Sequence, residues 1–218
     1  MKLVGFGCSF TYGSELIDPD AQTHHANTRY RQNNVWLGRL AKNYKFEFDN
    51  LAEPANSNFA IAQQVSSYIL NTYNTNDKII ICVAWTSPNR MSWYDKKWTH
   101  NGFADRTNGW IASAKDWTIR STDDTHKMYT DNAKLIVNCI CKAHSIPIIQ
   151  FNALGDHSPT RYPAYFMDGD SMDNYLHKEQ LENSKLNLFA KDNHPNEEGH
   201  EYFTIRLTDF VKDHIIVT

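Results

Sequence analysis

The chain has 218 residues, 41% of them hydrophobic and 22% charged, with a formal net charge of -3. This balance fits one large globular domain with a sizeable core, and the absence of any basic stripe excludes nucleic acid as a first partner. No apolar run approaches the ~18 residues of a membrane span, and MKLVGFGC is too short for a signal-peptide core, so no membrane partner and a cytoplasmic setting are expected.

Lys2 to Phe6 reads as a short buried strand, and GFGCSFTYG at 5–13 follows it as a tight, glycine-flanked turn. Residues 14–34 are polar and read as a loop, with His24-His25 solvated; adjacent histidines rarely chelate one ion together. Val35 to Tyr44 carries apolar residues at amphipathic-helix spacing. Phe46 to Leu51 alternates like a second strand, and 57–73 reads as a helix with Ser57 at its N-cap. Lys78 to Trp85 is a near-continuous apolar run, as expected for the buried centre of a parallel sheet.

Residues 86–125 are polar, with Trp93, Trp98, Trp110 and Trp117 scattered among them. They read as a long insertion, and these indoles either stack on sugar rings or anchor the segment. Residues 126–144 read as a helix, Ile146 to Phe151 as a strand, 155–190 as a second irregular stretch, and Pro195 to about Val211 as the last helix. The alternation predicts a single three-layer α/β/α domain over 1–218, with a parallel sheet of about five strands and the two insertions. The four cysteines, Cys8, Cys82, Cys139 and Cys141, lack disulfide or zinc spacing and read as reduced. Cys139 and Cys141 fall on different faces of their helix.

Ligands of such sheets bind at the carboxyl ends of the strands. There the sequence places Gly7-Cys8-Ser9-Phe10-Thr11-Tyr12-Gly13, then Asn50 to Asn58, then Ala84-Trp85-Thr86-Ser87, and finally Asp192-Asn193-His194-Pro195. A serine hydroxyl needs an adjacent base, and the base needs an orienting group. Ser9, His194 and Asp192 can supply these three roles. Read singly, Ser9 is a turn serine, and His194 and Asp192 are helix caps.

Taken together and in order, these blocks resemble the SGNH (GDSL-type) hydrolase family. GCSFTYG matches Gly-Asp-Ser-x-Thr-x-Gly with Cys8 in place of Asp, and NLAEPANSN has Ala55 where the family usually has glycine. DNHPNEEGH matches Asp-x-x-His-Pro, with Lys191 at the acid's position and Asp192 one residue later. GCSFTYG with HPNEEGH looks most like members encoded by tailed bacteriophages, which adds a host-cell cytoplasmic or virion-associated setting. The resemblance implies a serine esterase acting on an acyl ester, such as an acetyl ester, of a small molecule or glycan, with no cofactor and no metal. Its catalytic residues would be Ser9, His194 and Asp192. The oxyanion would meet the N–H groups of Ser9 and Ala55 and the shorter side chain of Thr86, which stands at the family's asparagine.

Tyr12, Asn56, Asn58, Trp85 and Arg90 are the candidate substrate contacts. Asn56 or Asn58 could replace the family's oxyanion amide. Trp85 is either a wall of the site or core packing, and Arg90 either holds an anionic group through its fork or pairs with an acidic neighbour. His200 reads as a surface residue. The alternative to an esterase is a catalytically weak or inactive module of the same fold, with binding, homo-oligomer or virion contacts. Thr86 and Lys191 favour it.

Overall fold

The computed structural model describes residues 1–95, 97–101, 122–155, 157, 159, 162 and 165–214. Strands β1 (Lys2–Phe6), β2 (Glu47–Asn50), β3 (Ile79–Trp85) and β6 (Ile148–Asn152) form a four-stranded sheet in the order β2-β1-β3-β6. All three pairings are parallel. The parallel α/β sheet is as expected, with four strands among the described residues where about five were expected. Beyond β6, among the described residues, single parallel bridges form at Gln150 to Tyr165 and Asn152 to Ser171. Met167 (φ 53) and Gly169 (φ 86) lie between those bridges in left-handed conformations, which prevents the chain from running extended there.

Two-residue periodicity sorts the sheet's side chains onto its faces. Leu3, Ile80, Cys82, Ala84, Ile149 and Phe151 join one core cluster. Val4, Phe6, Ile81, Val83, Trp85 and Ile148 join the other. Helices α3 (Trp36–Tyr44) and α7 (Glu197–His214) cover the first face through Leu37, Leu40, Phe203 and Leu207. Helices α4 (Asn58–Asn71) and α5 (Asp123–Ala143) cover the second through Ile61, Val65, Ala133 and Val137. Each such aliphatic side chain contributes ~1.5–3 kcal/mol on burial. Trp36 meets Phe151 edge-on, with centroids 5.0 Å apart.

Two segments read as irregular contain helices. Helix α2 (His24–Asn34) lies within 14–34, and Thr23 caps it by accepting from the Ala26 N–H at 3.1 Å. Helix α6 (Met172–Glu182) lies within 155–190, capped by Ser171 and seated through Met172 and Leu176. His24 and His25 are exposed in the first turn of α2. In the first insertion, β4 (Met91–Asp95) and β5 (Lys97–Asn101) form an antiparallel hairpin. Trp93 and Trp98 stand on these strands, while Trp110 and Trp117 lie outside the described residues. The cysteines are free, with Cys139 exposed and Cys141 buried as their spacing implies.

A buried lysine ties down the end of β6. Lys134 of α5 is fully buried and donates to Asn152 Oδ1 at 3.3 Å. It also donates to His157 Nδ1 at 3.2 Å, since His157 Nε2–H is given to the Leu154 carbonyl. Tyr165 donates its hydroxyl to the same Asn152 oxygen. Burial pulls the Lys134 ammonium down to about 8, against the opposing pull of Asp131 and Asp168.

Candidate active site

The turn after β1 is fixed by packing. Cys8 is extended and starts the single helical turn α1 (Ser9–Tyr12), which ends at Gly13 in the left-handed region (φ 78). Gly7 has no room for a side chain, since a Cβ there would lie 2.4 Å from Thr11 Oγ1 and 3.1 Å from the Ala84 carbonyl. Trp36 Nε1 donates to Thr11 Oγ1 at 3.3 Å, and Asn50 Nδ2 donates to the Thr11 carbonyl at 2.7 Å. Ser9 is thereby held as the first helical residue, 6% exposed. Neither its N–H nor its Oγ takes part in a hydrogen bond among the described residues.

The loop after β2 wraps this turn. The Leu51 and Glu53 N–H groups donate to the carbonyls of Gly5 (2.8 Å) and Gly7 (3.2 Å). Ala55 follows at φ 60, a left-handed conformation that costs an L-residue roughly 1–2 kcal/mol. This is the position where the SGNH pattern has glycine. The Ala55 N–H has no acceptor among the described residues.

The next side chains are fully engaged. Asn56 Nδ2 donates to Gln64 Oε1 (2.8 Å) and to the Gly7 carbonyl (3.4 Å). Asn58 clamps Thr86 from both sides. Its Nδ2 donates to the Thr86 carbonyl (2.9 Å) and to Thr130 Oγ1 (3.0 Å), and its Oδ1 accepts the Thr86 N–H (2.8 Å). Thr86 Oγ1 is sealed from solvent and has no partner. Asn56 and Asn58 therefore spend their amide donors on bracing the loops, and the unpaired Thr86 hydroxyl is enclosed with them. Trp85 takes its core alternative. It is fully buried and donates Nε1 to Gln150 Oε1 at 3.2 Å, because its strand position points into the same layer as Ile81 and Val83. Tyr12 is half-buried, with the Arg31 guanidinium 3.7 Å from its ring centre.

His194 lies in the loop before α7, after Asn193 in a left-handed conformation (φ 63). The cap of α7 is Asn196, whose Oδ1 accepts the Gly199 N–H at 3.0 Å. Asp192 instead accepts from His194 Nδ1 at 2.6 Å and from the His194 N–H at 3.2 Å. That fixes the ring and leaves Nε2 as the nitrogen able to exchange a proton. Phe10, beside Ser9, lies with its ring centre 5.4 Å from that of His194, so the first and last sequence blocks meet at this edge. No hydrogen bond joins Ser9 Oγ to His194 among the described residues, a contact that commonly tightens only when substrate is bound.

Glu15 is a member of this cluster that no sequence spacing announces. Its carboxyl, the Asp192 carboxyl and the His194 ring offer ligand atoms within 4.8 Å of one another, the only such grouping among the described residues. Burial pushes Glu15 up, and the Asp192 carboxylate, to which it donates when protonated, pushes it further. Burial also acts to raise Asp192, but the His194 N–H, Glu15 and the His194 ring outweigh it and hold Asp192 below its usual range. With Nδ1 committed to Asp192, the group is arranged as a hydrogen-bonded imidazole. Lys191, at the acid's position in the SGNH pattern, is exposed.

His200 is buried rather than on the surface, because Phe203, Thr204 and Leu207 share its face of α7. Burial, aided by Arg39 and His194, pulls it down to about 3, and its Nδ1 has no partner. Arg90 lines a cavity of about 220 Å³ on the other flank, between α4, α5 and the loop after β3.

No protein-family model and no curated relative matches the sequence. Solved structures do match in fold. A carbohydrate esterase, described as having an active site with divergent catalytic and non-catalytic binding functions, superposes with a TM-score of 0.55 at 12% identity over 99% of this chain and 65% of its own. An acetyl xylan esterase, AlAXEase, superposes with a TM-score of 0.52 at 10% identity over 97% of this chain and 100% of its own. Another, from the rumen bacterium Butyrivibrio proteoclasticus, gives 0.50 at 14% identity over 97% of this chain. This chain spans 63% of that last protein. At these identities the likeness is one of fold, and the chain has the α/β/α fold of these carbohydrate and acetyl xylan esterases.

Proposed function

We propose that the protein is a serine esterase that removes an acyl group, such as acetate, from a small molecule or glycan. The observation that carries this reading is the His194 ring held at Nδ1 by Asp192 at 2.6 Å, on the same sheet edge as the turn presenting Ser9. Ser9 Oγ attacks the ester carbonyl while His194 Nε2 takes its proton. The C–O bond to the alcohol breaks, and the imidazolium returns that proton to the departing oxygen. Water then attacks the acyl-serine, gives a proton to His194, and Ser9 recovers it as the acid leaves. The carboxylate of Asp192 holds the ring and balances its charge.

The oxyanion meets the N–H groups of Ser9 and Ala55, two backbone donors that have no acceptor among the described residues. With Thr86 sealed, this is a two-donor hole. A missing oxyanion donor is worth roughly 10²–10³ in kcat, so a modest turnover is expected. The names of the fold neighbours, carbohydrate and acetyl xylan esterases, support an acylated glycan as the substrate. The closed Thr86–Asn58 clamp favours a second reading, an inactive module of this fold that binds a glycan or a virion partner.

Hydrolysis of p-nitrophenyl acetate by the folded protein, beside Ser9→Ala and His194→Ala, separates the two. Losses of at least about 10³-fold in both variants are expected. Equal rates in all three proteins, with no fluorophosphonate labelling of Ser9, would establish the non-catalytic module.

A further inference from the structure

We propose that the cavity between α4, α5 and the loop after β3 holds an organic carboxylate, and that the ester substrate carries such a group; the second half rests on the esterase reading. The cavity has about 220 Å³ of space and is walled by Phe59, Pro88, Met91 and Tyr129, with Arg90 as its cation. Arg90 Nη1 is shielded from water and has no hydrogen-bond partner. Among the described residues no carboxylate pairs with this guanidinium. Its charge is permanent, so an unanswered donor there is a standing penalty that an incoming anion would relieve.

A second feature points to the same charge. Helix α4, 14 residues long, opens on the cavity with Ser57 and Asn58. Its first turn holds no acidic residue, so that end, capped by Ser57 through the Ala60 N–H at 3.3 Å, keeps its partial positive charge without a carboxylate beside it. Thr130 adds a hydroxyl whose oxygen accepts from Asn58 at 3.0 Å, leaving its proton to donate. The apolar walls select against a bare inorganic anion and in favour of a carboxylate carried on an aryl, alkyl or sugar-ring skeleton.

The position ties this cavity to the reaction. Asn58 lines it on one side and clamps Thr86 on the other, and Thr86 directly follows β3. β3 pairs with β1, whose end leads into Ser9. Asn58 is thus shared between the wall of the cavity and the brace of the loop after β3, beside the strand that leads into Ser9. A substrate with a carboxylate on its acyl or alcohol part could fill the cavity and reach Ser9 at once, and Arg90 would act on specificity by positioning.

The test uses 3-(4-acetoxyphenyl)propanoate and its methyl ester, in which two methylenes insulate the leaving phenol from the charge. The expected result is a kcat/KM at least about tenfold higher for the acid. That ratio should fall to near one in Arg90→Gln and recover in part in Arg90→Lys, with circular dichroism and melting confirming the fold. Calorimetry with 3-phenylpropanoate on Ser9→Ala should show binding that the added Arg90→Gln change removes. Hydrolysis of both esters at equal kcat/KM would overturn the acidic-substrate inference and leave the esterase standing. If neither ester is hydrolysed yet 3-phenylpropanoate binds through Arg90, the anion cavity stands and the esterase reading falls. No binding and no preference would overturn the proposal entirely.

Discussion

The two flanks of the candidate site are built on opposite principles. On the Asn58 flank, buried amides close on backbone groups, and Thr86, Thr130 and Gly7 are locked by hydrogen bonds between elements distant in sequence. On the His194 flank, the Asp192 and Glu15 carboxylates and the imidazole stand partly in water, held by short-range contacts within one loop and its neighbour. The first flank is a brace whose loss is felt by the whole fold. The second is the group to which the proposed mechanism gives the proton, and its loss is expected to be felt in activity more than in stability.

The sharpest way to break the contrast is a pair of substitutions. Asp192→Asn is expected to lower kcat/KM for p-nitrophenyl acetate by about 10²–10⁴-fold, because the amide cannot hold the ring in the same tautomer. Its melting temperature should stay close to wild type, since Asp192 is largely exposed. Asn58→Ala should do the reverse in stability, lowering unfolding free energy by about 2–4 kcal/mol by leaving the Thr86 N–H and carbonyl unpaired in the interior. Denaturant melts and initial rates on both variants check this. If Asn58→Ala melts like wild type, the flank is not a brace.

A pH experiment probes the buried histidine beneath the open flank. The folded protein refuses a proton at His200 until about pH 3, whereas the unfolded chain binds one near 6.5. Below 6.5 the unfolded state thus holds more protons, and stability falls as pH drops. Between pH 7 and 4.5 this amounts to about 2–3 kcal/mol. His200→Leu should flatten that part of the acid limb, measured as the difference between the two proteins. Parallel acid limbs would show that the burial of His200 carries no such proton penalty.

The smallest effect concerns Ala55. Its left-handed conformation suits glycine better, so Ala55→Gly is expected to stabilise the fold by up to about 1 kcal/mol, with esterase activity retained. A loss of stability would mean that the methyl group is needed for packing and that the strain is offset locally.

Much of this was legible in the sequence, for stated reasons. Ile79–Trp85 announced a central strand because every residue is buried and apolar. The same alternation assigns Trp85 to the core, since Ile81 and Val83 share its face. Helix α2 was not legible, because none of its residues is buried and no apolar stripe exists to show a period. Its one local signal was Thr23 at the N-cap. His200 could have been placed inside from Phe203, Thr204 and Leu207, which follow it at helical spacing. Ser9, His194 and Asp192 were visible only as separate blocks, and Glu15 not at all, because its meeting with Asp192 depends on the path of the whole loop after α1. The closure of Asn56 and Asn58 onto carbonyls was equally invisible, since an asparagine's partners are set by tertiary structure.

The strand order has a consequence for how the chain is made. β1 is an inner strand, flanked by β2 on one side and β3 on the other. Made early, it has no neighbour on either side until 47–50 and then 79–85 have been synthesised. At typical rates of synthesis roughly 4–15 s pass between Phe6 and Ile79. During that interval Leu3, Val4 and Phe6, all destined for the interior, remain open to misassociation. The nascent chain therefore passes through a stage in which one of its two inner strands is without either neighbour.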